Sequence, residues 1–173
     1  MPITLYDISV ASSLQMLGAV SHFLDKGATW CGENDVDVAD VVATRLKEDM
    51  LAFDFQIISV VHHSLNSIKG VMAGEFNPPG GFGELDYAGL QQLVKEAETE
   101  LAAMDAAQVN SYEGKSVVFR IGGNEIPFTA ENFVMSFSHP NLYFHAATAY
   151  DVLRMKGVPL GKRDFMGKMR IKS

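Results

Sequence analysis

Four stretches of this 173-residue chain repeat apolar residues at intervals of three and four, the spacing that aligns side chains on one face of an α-helix. In the first, Tyr6, Val10, Leu14, Leu17, Val20 and Leu24 form the stripe, and Gly27 supplies the expected stop. The second spans about Asp49 to Ala73, with its seam at Leu51, Phe55, Ile58, Val61, Leu65, Ile68 and Met72. Gly74 and the "NPPGGFG" segment end it, because glycine accepts the left-handed conformation and proline cannot donate. The third starts near Asp86 and repeats Leu90, Leu93, Ala97, Leu101 and Met104, with Glu96, Glu98 and Glu100 facing outward. The fourth runs from Ala130 to Lys156, opened by Thr129 as N-cap and closed by Gly157 with Pro159 just beyond. A short helix, "DVADVVATR", with Asp37 as its N-cap, lies between the first two.

Before the fourth stripe the pattern changes. In "KSVVFRIGGNEIPFT", β-branched and aromatic residues flank Gly122-Gly123, which reads as a hairpin because paired glycines accept the positive φ of tight turns. The predicted fold is therefore mainly all-α: an antiparallel four-helix bundle with a β-hairpin inserted between helices three and four. The Gly/Pro-rich "GEFNPPGGFGE" is a loop and not a linker, since neither half would hold a complete core, so residues 1–173 are expected to form a single domain.

A net charge of −7 argues against a nucleic-acid surface, which needs clustered cations. Seven of the fourteen Lys and Arg residues nevertheless fall in the last twenty positions. They read as a solvated tail, with Arg154 and Lys156 complementing the helix C-terminus. The single cysteine, Cys31, excludes an intrachain disulfide and fits a reducing compartment; with no CxxC motif or nearby histidine, it has nothing to activate it as a nucleophile. The N-terminus lacks a basic segment of the signal-peptide kind, and no apolar run reaches the ~18 residues of a membrane span. No membrane association and a cytoplasmic location are the resulting expectations.

Polar residues that enter the apolar arcs are the candidates for function. His62 and His63 are adjacent, so at ~100° per residue they point differently. Helical phase favours His62 as the inward one and puts His63 on the face of Gln56, Ser59 and Gly70. Asp54 projects near the same seam, where a carboxylate needs a partner. On the fourth helix, Asn141 and His145 are four apart and share a face with Val134, Ser138, Ala149 and Val152, whereas His139 is rotated toward Tyr143 and Tyr150. Pro140 removes the backbone donor to the Ser136 carbonyl and is expected to kink the helix. His62, Asn141 and His145, with Asp54 or water, make a plausible N/O set for a divalent ion. A buried histidine on a backbone carbonyl and an asparagine capping the carbonyl freed by Pro140 explain the same residues without one.

The segments "EDMLAFDFQIISVVHHSLNSIKGVMAG" and "FTAENFVMSFSHPNLYFHAATAYDVLRMKGVPLGKRDFMG", with the opening "YDISV", resemble a bacterial branch of the DinB/YfiT-like superfamily. "PNLYFH" and "GVPLGKRDF" are the most specific parts, and the resemblance spans nearly the whole chain. It implies a four-helix bundle, commonly paired as a homodimer. It also implies a site in which a second-helix histidine and a fourth-helix HxxxH pair hold a divalent metal; some members are metal-dependent thiol transferases or hydrolases, and many have no known activity. Here the pair becomes NxxxH, Asn141 and His145, and the second-helix ligand matches His62 or His63. An amide oxygen is a poor substitute for imidazole toward nickel or zinc. The expected function is thus a polar core pocket formed by His62, His63, Asn141 and His145, binding a small molecule without a tightly held metal. The alternative is an enzyme using a divalent ion (nickel, zinc or manganese) on His62, Asn141 and His145, with Asp54 as outer partner or base.

Overall fold

A computed structural model describes residues 2–81 and 83–172. The helices are α1 (Leu5–Ile8), α2 (Val10–Glu33), α3 (Val38–Val42), α4 (Phe53–Val61), α5 (Ser67–Ala73), α6 (Tyr87–Ala102), α7 (Ala106–Asn110), α8 (Ala130–Phe133), α9 (His139–Met155) and α10 (Lys162–Met166). Single π-helical turns, His62–Asn66 and Val134–Ser138, join α4 to α5 and α8 to α9 into continuous rods. The strands are β1 (Glu75–Phe76), β2 (Ser116–Ile121) and β3 (Asn124–Thr129). The molecule is thus mainly helical, with one small three-stranded sheet in the order β1-β2-β3.

Caps fix most helix starts where the sequence puts them. Asp37 accepts from the Ala39 amide, Asp86 from Gly89 and Thr129 from Asn132, each satisfying an orphan donor of a first turn. The hairpin closes as expected: Ile121 pairs with Asn124 across Gly122 (φ 55°) and Gly123 (φ 82°), the two positive φ values of a type I′ turn. Pro127 sits in β3, an edge strand whose outer side needs no ladder donor.

Three boundaries differ from the sequence reading. The first long helix does not stop at Gly27 but runs on to Glu33. A Cβ on Gly27 would lie 2.4 Å from the Tyr87 hydroxyl, which donates to the Leu24 carbonyl at 2.9 Å. The glycine there provides room for α6 to approach; it does not end the helix. The second helix begins at Phe53 and not Asp49, leaving Leu51 half exposed ahead of it. Its seam widens into a nearly all-round apolar surface because α4 touches α2's neighbour α6, the α9 rod and, through α5, the sheet; Phe53, Ile57 and Val60 are fully buried. Finally, Glu75-Phe76, read as loop, adds to the hairpin as a third strand, parallel to β2 with Phe76 opposite Phe119.

The core is one cluster shared by α2, the α4–α5 rod, α6 and α9. Cys31 is buried in it, and burial pushes its thiol pKa up, which leaves it inert. No helix among the described residues is long and apolar enough to cross a membrane.

Candidate functional site

Both π-helical turns lie at the same level of the molecule and are bonded to each other. A π turn widens the helix and shifts its backbone pairing from i→i+4 to i→i+5. The His63 carbonyl in the first turn accepts from two hydroxyls: Ser67 Oγ at 3.0 Å, one turn on, and Ser138 Oγ at 2.8 Å, from the second π turn. Ser138 is fully buried, and it joins the two rods at the point where the histidines emerge. Ser138→Ala is expected to cost about 1 kcal/mol in urea unfolding, the net worth of one buried hydrogen bond with Ser67 still serving the carbonyl; no change in midpoint would show the bridge to be incidental.

Three imidazoles gather here. His62 and His63 are buried, with ring centroids 5.2 Å apart and planes nearly perpendicular. His63 lies parallel to His145 of α9, offset, at 5.9 Å. His145 Nδ1 meets Gln56 Oε1 at 2.8 Å. Gln56 is itself buried and donates its Nε2 to the Leu51 carbonyl, so its oxygen must face the ring. That orientation puts the His145 proton on Nδ1 and leaves Nε2 with its lone pair.

Aromatic rings enclose the cluster. Phe76 of β1 covers His62 at 4.4 Å and His63 at 5.7 Å, and Phe137 of the second π turn meets His63 edge-on at 5.7 Å. Burial in this apolar shell disfavours the charged imidazolium. It lowers His62, against a smaller opposing pull from the Asn77 backbone; it lowers His63 to about 3, helped by repulsion from His62 and His145; and it lowers His145 to about 4, helped by His62. All three rings are neutral at neutral pH. His62 approaches the Asn77 backbone without a well-formed hydrogen bond, and Nδ1 of His63 and Nε2 of His139 are buried with no hydrogen-bond partner among the described residues. Unpaired buried polar atoms are rare in folded proteins and point to a water, an ion or a ligand.

The structure separates some sequence candidates from this cluster. His63, not His62, faces His145; His62 turns the other way and borders a recess of about 340 Å³ with Asn66, Lys69 and Asn77. Asn141 donates Nδ2 to the Phe137 carbonyl at 2.7 Å, capping a carbonyl one residue beyond the one expected, because the π turn shifts the pairing. Asp54 lies at the start of α4, about 12 Å along the axis from His62, where it accepts from its neighbour Phe55 and borders Ala43 and Glu84. His139 packs on Tyr143. Among the described residues no three His, Cys, Asp or Glu side chains converge as metal ligands. Asn141 donates Nδ2 to the backbone and His62 packs on Phe76, so the two imidazoles that face each other are His63 and His145.

Gln56 and Ser138 were on the expected faces, beside His63 and His145, yet carried no sign of their roles. The serines are the signal that was available: Ser64 and Ser67 both bond back to carbonyls of the preceding turn, a habit that bends helices.

A family model described as a domain of unknown function, DUF1993, matches residues 5–166. The chain belongs to the DUF1993 family. No curated protein matches this DUF1993 chain. Among solved structures, a DinB family member protein from Shewanella denitrificans is similar at 25% identity and TM-score 0.81, over 98% of this chain and 95% of that one. The DUF1993 fold is accordingly DinB-like, as the "PNLYFH" and "GVPLGKRDF" segments imply.

Proposed function

We propose that the chain is a DinB-like antiparallel four-helix bundle, formed by α2, the α4–α5 rod, α6 and the α8–α9 rod, that binds a small molecule at His63 and His145 without a tightly held metal. The observation that carries this reading is the Gln56–His145 contact beside His63, whose Nδ1 is buried without a partner among the described residues. The Gln56 contact leaves Nε2 of neutral His145 as an acceptor, and Nδ1 of His63 is buried without a partner, so the matching ligand is a small hydrogen-bonding molecule such as an alcohol, amine or thiol.

Two titrations test it on protein purified without a metal-affinity tag. Nickel, zinc and manganese are expected to bind no tighter than micromolar. Small alcohols, amines and thiols are expected to shift the His63 and His145 ring signals in NMR, with the response lost in His145→Ala. Stoichiometric metal binding abolished by His145→Ala would overturn the proposal in favour of a metal-dependent enzyme.

A further inference from the structure

We infer a second ligand site, on the opposite side of α2 from the core, that takes an organic anion with a short apolar body. The C-terminal segment is strapped across α2 by specific contacts. His22 and Lys26 hold the Asp164 carboxylate at 2.9 and 3.0 Å, and Gln15 Nε2 donates to the Met166 carbonyl at 2.9 Å. Gly167 then presses on α2 so closely that a Cβ would lie 2.9 Å from the Gln15 carbonyl. Between this strap, α2 and the end of α6 is a cleft of about 700 Å³, within the range of small-molecule sites.

Its floor is small and apolar: Ala11, Leu14 and Gly18 from one face of α2 and Ala102 from α6. Its wall is basic, with Arg163, Lys168 and Arg170. Arg163 and Lys168 have no carboxylate partner among the described residues, and Arg170 makes only long contacts of 3.4 and 3.5 Å to Ser12 and the Asp7 carbonyl. Asp164 is already neutralised by Lys26, so Glu98 is the only lining carboxylate set against three cations. In a chain of net charge −7, that local excess of positive charge attracts an anion.

Gly18 is the second observation. It lies in the interior of α2, where glycine weakens a helix relative to other residues. Nothing packs where its Cβ would be except the tip of Glu98 at 3.6 Å, so neither a turn nor a tight contact requires it. Gly18 leaves that part of the floor without a side chain of its own, with only the flexible Glu98 tip over it.

The test uses the full chain and three probes: decanoate, decanol and inorganic phosphate, followed by calorimetry and by amide shifts of α2 and α10. Decanoate is expected to bind saturably at submillimolar concentration, with decanol and phosphate each at least tenfold weaker. Arg163→Gln with Lys168→Gln should weaken decanoate at least tenfold. Gly18→Leu, which fills the floor and favours the helix, should abolish binding while thermal unfolding shows the fold intact. Equal binding of decanol or of phosphate, or undiminished binding by Gly18→Leu, would overturn the assignment.

Discussion

Gly27→Ala is expected to destabilise the protein by about 2 kcal/mol, although it is a substitution that ordinarily strengthens a helix. The added methyl would stand 2.4 Å from the Tyr87 oxygen, a separation no side chain tolerates, and both residues are buried. Either α6 moves away from α2, opening the stack of Phe53 on Tyr87, or the tyrosine swings and abandons the Leu24 carbonyl. The first loses core packing and the second a buried hydrogen bond, each costing roughly 1 kcal/mol or more. Tyr87→Phe removes the obstructing oxygen. The double variant should therefore be less destabilised than the sum of the two single ones, by about 1 kcal/mol in urea unfolding. Strict additivity would show that the contact between α2 and α6 is not what excludes a side chain at position 27.

The second large effect is on pH dependence. Burial holds the folded-state pKa of His63 at about 3, below the ordinary value near 6.5 that the unfolded chain recovers. Below about pH 6.5 the unfolded state takes up a proton that the folded state refuses, so stability is complete above that pH and falls as the pH drops toward 3. From pH 7 to pH 5 the loss from His63 alone is roughly 2 kcal/mol, and the lowered pKa values of His62 and His145 add in the same direction. His63→Phe, an aromatic replacement among Phe76 and Phe137, should reduce the loss by about His63's share. Equal loss in the variant and the wild type would mean that His63 is already protonated, or solvated, in the folded protein.

Much of the helical architecture was legible because it rests on local rules. Periodicity located the long helices, and Asp86 and Thr129, like Asp37 for the short α3, marked helix starts through a single hydrogen bond each. Gly122-Gly123 specified the hairpin through backbone sterics alone. What stayed hidden depends on partners distant in sequence. Gly27 looks like a stop until Tyr87 is placed against it, and Phe76 looks like loop until β2 offers it a ladder. The site behaves in the same way. Helical phase put Gln56 with His63 and Asn141 with His145, but the contacts that form are Gln56 to His145 and Asn141 to the Phe137 carbonyl. An ideal 3.6-residue helix, however, gave no warning of two π turns, and these turn His63 toward His145 and send the Asn141 amide to Phe137.

The most direct measurement is the state of the imidazole nitrogens, read by ¹⁵N NMR on histidine-labelled protein at pH 7, before and after one equivalent of zinc. His145 is expected to be neutral with its proton on Nδ1, as the Gln56 oxygen requires, and His62 and His63 are expected to be neutral as well. None of the three should respond to the metal. A protonated His145, or a stoichiometric shift of the His63 and His145 nitrogens on adding zinc, would contradict a metal-free hydrogen-bonding site.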